Sequence, residues 1–263
     1  MSVLHSIPLF LNCIAILYQR RYNRLHKSVS GLSYDLYVLS FASYVLNVYC
    51  GLNYLCSGLV RKQLVRRFPV YFQRKVADIP VSTAILVADL LNLISTGAII
   101  KQLVNYRRTK REYQSISYIC ISILAVCLIF CVFTHACASF NLPSRDSGRF
   151  GVYYLEHINY SWVLATLLSG VRLVPQVSVN FMGRSTQGLS SKFMLLSIAS
   201  AVIQIVIEMC THARSHPFTP LNGKPIYEPA LHLIFLLIVS YQVHKVYRNK
   251  AGTSANSLAL RVL

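Results

Sequence analysis

Two copies of one motif stand in the chain at a constant offset of 157 residues. The fuller copy covers 172–190, RLVPQVSVNFMGRSTQGLS, and a weaker copy covers about 18–35. Six residues are identical at this offset: Gln19, Asn23, Ser28, Gly31, Leu32 and Ser33 recur as Gln176, Asn180, Ser185, Gly188, Leu189 and Ser190. Each copy lies between strongly apolar stretches. Identical spacing in two apolar contexts indicates a duplicated membrane unit.

The composition agrees with a chain that crosses the lipid bilayer. Hydrophobic residues make up 54% of the sequence and charged residues 13%, whereas soluble domains carry about 25% charged residues. The net charge is +18, but the basic residues stand in short clusters between apolar runs, as membrane topology requires. We therefore expect a bilayer as the surroundings and exclude nucleic acid as a partner.

Seven apolar stretches are long enough to span a membrane, at 3–18, 34–59, 79–100, 116–140, 154–174, 189–210 and 226–247. The offset relates the first to the fifth and the second to the sixth; by extension the third matches the seventh. The fourth stays unpaired, because two three-helix units in one orientation need an odd number of helices between them. The sequence predicts an all-α polytopic membrane protein with two parallel three-helix repeats joined by a linker helix. The predicted parts are a first repeat at 1–110, a linker at 111–150, a second repeat at 151–250 and a mobile tail at 251–263.

The orientation follows from the lysines and arginines in the loops. More of them stand on the side that carries both motifs, so we predict that side and the C-terminus to be cytosolic and the N-terminus lumenal. The basic run from Arg61 to Lys75 opposes this assignment.

The second motif combines a helix breaker with a polar stripe. Pro175 removes a backbone hydrogen bond and should act as a hinge, whereas Tyr18 stands at the equivalent position of the first copy. Arg172, Gln176 and Asn180 are four residues apart and therefore share a helix face. That face could line a polar cavity between the repeats, or simply mark the aqueous boundary of the span. Gly188 suits a backbone turn.

Ionisable residues inside a membrane are costly and point to function. Asp89 lies midway along the third predicted span and Asp35 opens the second. Either carboxylate could bind and release a proton; the alternative for Asp89 is a static pair or hydrogen bond with Asn92 or with a neighbouring helix. For Glu228, near the start of the last span, we expect a solvated or paired surface role. For His232 we expect a hydrogen-bonded packing role.

The sequence offers no enzymatic site. It contains no phosphate-binding glycine loop, no nucleophile elbow and no metal-ligand spacing. The eight cysteines lie mostly in apolar runs, where packing is the expected role. We therefore expect no enzyme activity, no cofactor and no metal.

Two stretches, HKSVSGLSYDLYVLSFASYVLNVY and VRLVPQVSVNFMGRSTQGLS, resemble the PQ-loop repeat family, and the fuller match is to cystinosin-type transporters. The resemblance implies a proton-coupled exporter that moves cystine or a related amino acid from the lysosomal or vacuolar lumen to the cytosol by alternating access. It also implies a substrate cavity lined by PQ-loop residues. The matching positions are Asn23, Arg172, Gln176 and Asn180 for the substrate, with Asp35 and Asp89 as proton-coupling candidates.

One departure from the family bears on this expectation. Cystinosin-like chains carry an aspartate shortly after the second motif, and Ser197 stands there in this chain. If coupling persists, Asp35 or Asp89 must carry it. The alternatives are a non-transporting membrane adaptor or trafficking protein on the same scaffold, and a SWEET-like sugar carrier.

Overall fold

The computed structural model describes residues 4–69, 79–142, 146, 148–186, 188–212 and 221–246. Within these ranges all regular secondary structure is helical. The described helices are α1 (Ile7–His26), α2 (Tyr34–Cys56), α3 (Gly58–Arg67), α4 (Thr83–Asn105), α5 (Tyr118–Ser139), α6 (Tyr154–Val171), α7 (Val174–Gly183), α8 (Ser191–His212) and α9 (Tyr227–Tyr241), which a π-helical turn extends over Gln242–Val246.

Local chemistry fixes the ends of these helices. Ser33, Ser82 and Ser117 each accept a hydrogen bond from the backbone three residues on, and so cap the starts of α2, α4 and α5. At the other end, α1 and α7 both terminate in a left-handed residue, Lys27 (φ 47°) and Arg184 (φ 43°). These two residues hold equivalent positions in the two motif copies. The duplication therefore extends to the backbone geometry.

Six of the described segments are long and apolar enough to cross a membrane, which confirms an all-α polytopic membrane fold. The six are Tyr34–Cys56, Thr83–Asn105, Glu112–Ser139, Tyr154–Gly183, Ser191–Thr211 and Tyr227–Val246. The first predicted span is different, because α1 continues past the apolar stretch to His26. Its basic second half remains helical since the polar side chains of Gln19 and Asn23 are buried inside the bundle.

The long helices pack as two triplets. In the first, α4 contacts both α1 and α2; in the second, α9 contacts both α6 and α8. The triplets meet reciprocally, with α1 against α8 and α2 against α6. Helix α5 packs on α6 and touches α2, and only 6% of its most apolar window is buried. A linker helix that faces lipid would have this arrangement.

The fifth predicted span is interrupted where the sequence places its proline. Helix α6 ends at Val171 and α7 begins at Val174, with Arg172 and Leu173 between them. Pro175 has no N–H for the Val171 carbonyl, which accounts for the break. Helix α1 runs unbroken through the equivalent position, Tyr18.

The basic run after α2 forms a short helix that the sequence did not predict. Ser57 ends α2 and caps α3. Two arginines of α3 meet acids near the start of α6: Arg66 pairs with Asp146 at 3.1 Å and Arg67 with Glu156 at 3.5 Å. These contacts neutralise part of the charge that opposed the predicted orientation. The remainder of the run, to Lys75, and the tail at 251–263 lie outside the described residues.

Candidate functional site

Gln19 reaches from α1 into the loop of the second motif copy. Its Nε2 donates to the carbonyl of Gly188 at 2.9 Å, and its Oε1 accepts from the backbone N–H of Ser190 at 2.8 Å. The side chain is fully buried. A backbone donor and a backbone acceptor of that loop therefore depend on one glutamine of the other repeat.

Gln176 makes the two equivalent hydrogen bonds from the second repeat to the loop of the first motif copy. It donates to the carbonyl of Gly31 at 2.9 Å and accepts from the backbone N–H of Ser33 at 2.8 Å. We call this arrangement the reciprocal clamp, and the end of the bundle that contains it the motif side. The clamp consists of Gln19, Gln176, Gly31, Ser33, Gly188 and Ser190.

Two further amides support each clamp glutamine. Gln19 donates to Asn23 and Gln176 to Asn180, both at 2.8 Å. Asn23 in turn donates to Gln102 of α4 at 3.3 Å. Equivalently, Asn180 donates to Gln242 at the end of α9 at 2.9 Å. The amide chains thus connect the clamp to the third long helix of each repeat, α4 in the first and α9 in the second.

The two motif glycines have different reasons for being glycine. Gly31 has a φ of +83°, a conformation that other residues rarely adopt. Gly188 is required for close approach: a Cβ there would lie 2.6 Å from the Leu32 nitrogen and closer still to the Gly31 carbonyl carbon. The loops of the two repeats therefore touch backbone to backbone.

Gly188→Ala should force the two loops apart. Its Cβ meets backbone atoms, which cannot rotate away, and overpacking of this kind costs about 1–3 kcal/mol or more. We expect a fall of several degrees in the unfolding temperature in detergent, together with faster labelling of a cysteine introduced at Ser33. Gly58→Ala is the matched control, since nothing lies within 4 Å of a Cβ at that position. Equal behaviour of the two alanine variants would contradict the close contact.

A second polar cluster lies in the centre of the bundle, around Arg172. Its Nη1 donates to the Tyr44 hydroxyl at 2.6 Å, and its Nη2 lies 3.4 Å from Asn12 Oδ1 and 3.2 Å from His232 Nε2. The residue is 8% exposed. Among the described residues, no carboxylate lies within ion-pair distance of this guanidinium. Arg172 is therefore a buried cation without a counterion in contact.

The contact with Arg172 fixes the tautomer of His232. A guanidinium has only donors, so His232 Nε2 must accept, and the neutral ring carries its proton on Nδ1. That Nδ1 is buried and has no hydrogen-bond partner. The cluster thus offers an unused donor beside an unneutralised cation.

Two acids and a second cation complete the cluster. Lys224, just before α9, pairs with Asp89 of α4 at 3.4 Å, and both side chains are buried. Glu228, in the first turn of α9, accepts from the Ser169 hydroxyl at 2.5 Å. Asp89 Oδ1 and Glu228 Oε2 are buried without partners. The centre of the bundle therefore contains charged groups of both signs with unused bonding capacity.

Arg172 separates two small cavities. Asn12, Arg172 and His232 line both. One cavity extends towards Lys224 and Glu228, away from the motif side, and the other extends towards the motif side, between residues such as Tyr37 and Thr96. Each holds about 20 Å³, which is room for about one water molecule. The central cluster therefore encloses almost no free volume in this conformation.

At the end of the bundle opposite the motif side, hydrogen bonds also connect the two repeats. Asn222 accepts from the N–H of Ser82 at 3.0 Å and donates to its carbonyl at 2.8 Å. The neighbouring N–H of Leu221 donates to the Pro80 carbonyl at 3.0 Å. We call these contacts the opposite strap. With the clamp at one end and the strap at the other, the central cluster is occluded on both sides.

A family model described as PQ loop repeat matches residues 158–213, which contain the second motif and its flanking helices. The uncharacterized protein YCL002C of Saccharomyces cerevisiae is 44% identical over 248 residues, covering 93% of this chain and 94% of that protein. The chain belongs to the PQ-loop repeat family. Cystinosin of Drosophila melanogaster is 22% identical over 245 residues, covering 90% of this chain and 55% of cystinosin. The chain therefore spans about half the length of that relative.

The structure separates the predicted PQ-loop site residues into two groups. Asn23, Gln176 and Asn180 belong to the clamp and its supports, are almost fully buried, and line neither central cavity. Arg172 lies in the central cluster, where it lines both cavities. Of the four predicted substrate-binding residues, only Arg172 thus lines the central cavities, whereas Gln176 holds the loop of the first motif copy and Asn23 and Asn180 support the clamp.

The two proton-coupling candidates also separate. Asp89 lies in the central cluster. Asp35 lies outside it, where its Oδ1 accepts from the Ser117 N–H at 3.0 Å and so ties α2 to the start of α5. Pro175 stands in the first turn of α7, directly after the break.

Sequence reasoning missed several members of the central cluster. The expected surface role of Glu228 is wrong, because the start of α9 is drawn into the bundle and leaves this residue 8% exposed. A signal was present: Lys224, Glu228 and His232 are four residues apart and would share one helix face.

Proposed function

We propose that this PQ-loop protein transports a small amino acid, with cystine as the first candidate, by alternating access coupled to protons. The relationship to cystinosin favours this substrate class. The transport direction consistent with that relationship is from the lumen of a lysosome, vacuole or other endomembrane compartment to the cytosol, with the N-terminus lumenal and the C-terminus cytosolic.

The observation that carries the proposal is the unneutralised Arg172. A buried cation without a counterion costs several kcal/mol, and ionisable groups in membrane interiors mark substrate or ion pathways. A substrate carboxylate would supply the missing counterion. The guanidinium offers planar, two-pronged donors, the geometry that a carboxylate matches best.

The remaining charges fit the other end of an amino acid. The unpaired oxygen of Asp89 is an acceptor for an ammonium group, and Lys224 adds a second cation for a further carboxylate. A neutral sugar would leave these charges unmatched, so the cluster favours a zwitterionic solute over a SWEET-like substrate. A non-transporting adaptor would not require charged groups of either sign in the core.

The two inter-repeat ties supply the gates. Opening the motif side requires the clamp to separate, and opening the other side requires the opposite strap to separate. The break at Arg172 and Leu173 lies between the two gates and directly before Pro175. Rotation about this point would expose Arg172 to one side at a time.

Counterflow in proteoliposomes tests the proposal. Vesicles loaded with unlabelled cystine and containing the wild-type protein should take up labelled cystine saturably, and a panel of other amino acids should compete. Protein-free vesicles are the control. Counterflow of sugars but of no amino acid would favour a sugar carrier over an amino-acid carrier. Stable cytosolic partners, with no flux of amino acids or sugars, would favour the adaptor.

A further inference from the structure

We propose that Glu228 is the proton-binding residue of this chain, an inference that rests on the proposed transport function. The position of the expected family acid is occupied by Ser197, whose hydroxyl is buried without a partner. The proton site must therefore be sought among the acids that the fold brings to its interior.

The other acids of the long helices are already engaged. Asp35 accepts from the Ser117 backbone N–H and Asp89 pairs with Lys224. Glu208 pairs with His5 at 3.1 Å, and Glu156 pairs with Arg67 and also accepts from the Tyr153 N–H. Each of these carboxylates has a basic side chain or a backbone donor in contact.

Glu228 has neither. Its Oε1 accepts from the neutral Ser169 hydroxyl, and its Oε2 is buried without a partner. Among the described residues no basic nitrogen lies within 4 Å of this carboxylate. A buried carboxylate that lacks such compensation takes up a proton rather than remain charged. Glu228 is consequently the acid most ready to be neutral when the site is closed.

The charged and titratable groups around Glu228 come from every neighbouring element. They are Lys224 on the preceding loop, Asp89 on α4, Arg172 at the break after α6, His232 one turn further along α9, and Tyr44 on α2. Arg172, Lys224 and Asp89 together carry one positive charge. With Glu228 protonated the cluster keeps that charge, and with Glu228 ionised it becomes neutral.

This difference couples the proton to the substrate. A protonated Glu228 leaves the net positive cluster that attracts a carboxylate, and ionisation cancels that attraction. By linkage, substrate binding must favour proton binding to the same extent. Both ligands then load from an acidic compartment and leave together into a less acidic one.

The test uses Glu228→Gln, which keeps the size and the acceptor oxygen facing Ser169, with Glu208→Gln as the matched control. At equal pH on both sides, Glu228→Gln should retain cystine counterflow. With the inside alkaline, wild type and Glu208→Gln should accumulate cystine, and Glu228→Gln should show about the same flux as without the gradient. Glu228→Asp, which retains a carboxyl, should recover gradient-driven accumulation if Glu228→Gln does not fold.

Two outcomes of the flux measurements would overturn the inference: gradient-driven accumulation of wild-type size in Glu228→Gln, or coupling that disappears in Glu208→Gln instead. A second readout does not depend on flux. Infrared difference spectra of purified protein between acid and neutral pH should contain a protonated-carboxyl band that Glu228→Gln lacks and Glu208→Gln keeps. If the band is absent only in Glu228→Gln but the wild-type protein shows no counterflow, the transport proposal fails and the proton site stands. If Glu228→Gln keeps the band, the proton site itself is refuted.

Discussion

Replacing both clamp glutamines with leucine should strongly destabilise the protein. Each leucine leaves a buried backbone N–H and a buried carbonyl without partners, and each orphaned group costs about 1–3 kcal/mol. Gln19→Leu/Gln176→Leu therefore loses roughly 4–12 kcal/mol, which would unfold many domains outright. Fluorescence of the single tryptophan, Trp162, during heating in detergent measures the loss.

The two single variants should differ. Gln176 holds the first loop, which Gln114 also supports through bonds to the carbonyls of Val29 and Leu32. In the described part of the second loop, Gln19 makes the side-chain bonds that hold it. Gln19→Leu should therefore be the more damaging single change. Gln204→Leu is the control, since Gln204 is half-buried and its side chain makes no hydrogen bond among the described residues. A fall in unfolding temperature equal to that of Gln19→Leu would contradict the clamp.

Replacing Arg172 should separate function from stability. If the guanidinium binds the substrate carboxylate, Arg172→Met removes a desolvated charge pair worth about 2–5 kcal/mol. That corresponds to a loss of transport of about 30-fold to 4,000-fold at subsaturating substrate. In the substrate-free protein the same change removes an unneutralised buried cation, so the unfolding temperature should stay equal or rise.

Arg172→Lys is the matched variant for this second prediction. Lysine keeps the positive charge but not the planar donor pair, so transport should fall between wild type and Arg172→Met. Counterflow rates and thermal unfolding of the same preparations give both quantities. If Arg172→Met keeps wild-type counterflow, Arg172 does not bind the substrate. A large fall in the unfolding temperature of Arg172→Met would show that the cation has a structural role.

The duplication made much of the fold predictable. A common offset for six residues requires two units with the same internal geometry, so the helix triplets and the unpaired linker follow from the pattern. The break before Pro175 follows from the proline itself, since α1 is continuous at Tyr18. The left-handed ends of α1 and α7 and the paired clamp bonds repeat at the same offset, although their partners could not be read from the sequence. Spacing of four shows that Gln176 and Asn180 share a face, but it does not show what that face meets.

The assignment of roles within that pattern required the three-dimensional arrangement. We expected the face of Gln176 and Asn180 either to line a cavity or to mark the aqueous boundary. The structure places Gln176 against the loop of the other repeat and Asn180 between Gln176 and Gln242. We expected Glu228 at the surface, and the opposite strap draws the start of α9 inward to Asp89 and Ser169. Hydropathy averages over a segment, so it cannot detect one charged residue that a loop carries into the bundle.

The sequence by itself therefore determined a duplicated helical membrane unit, its linker and the identity of the equivalent residues, since these depend on spacing and composition along the chain. Only the tertiary structure decided which polar residues lock the repeats together and which remain unsatisfied in the centre. Hydrogen-bond partners more than 100 residues apart, such as Gln19 with Gly188 and Arg172 with Tyr44, are set by how helices pack, and packing leaves no periodic signal in the sequence.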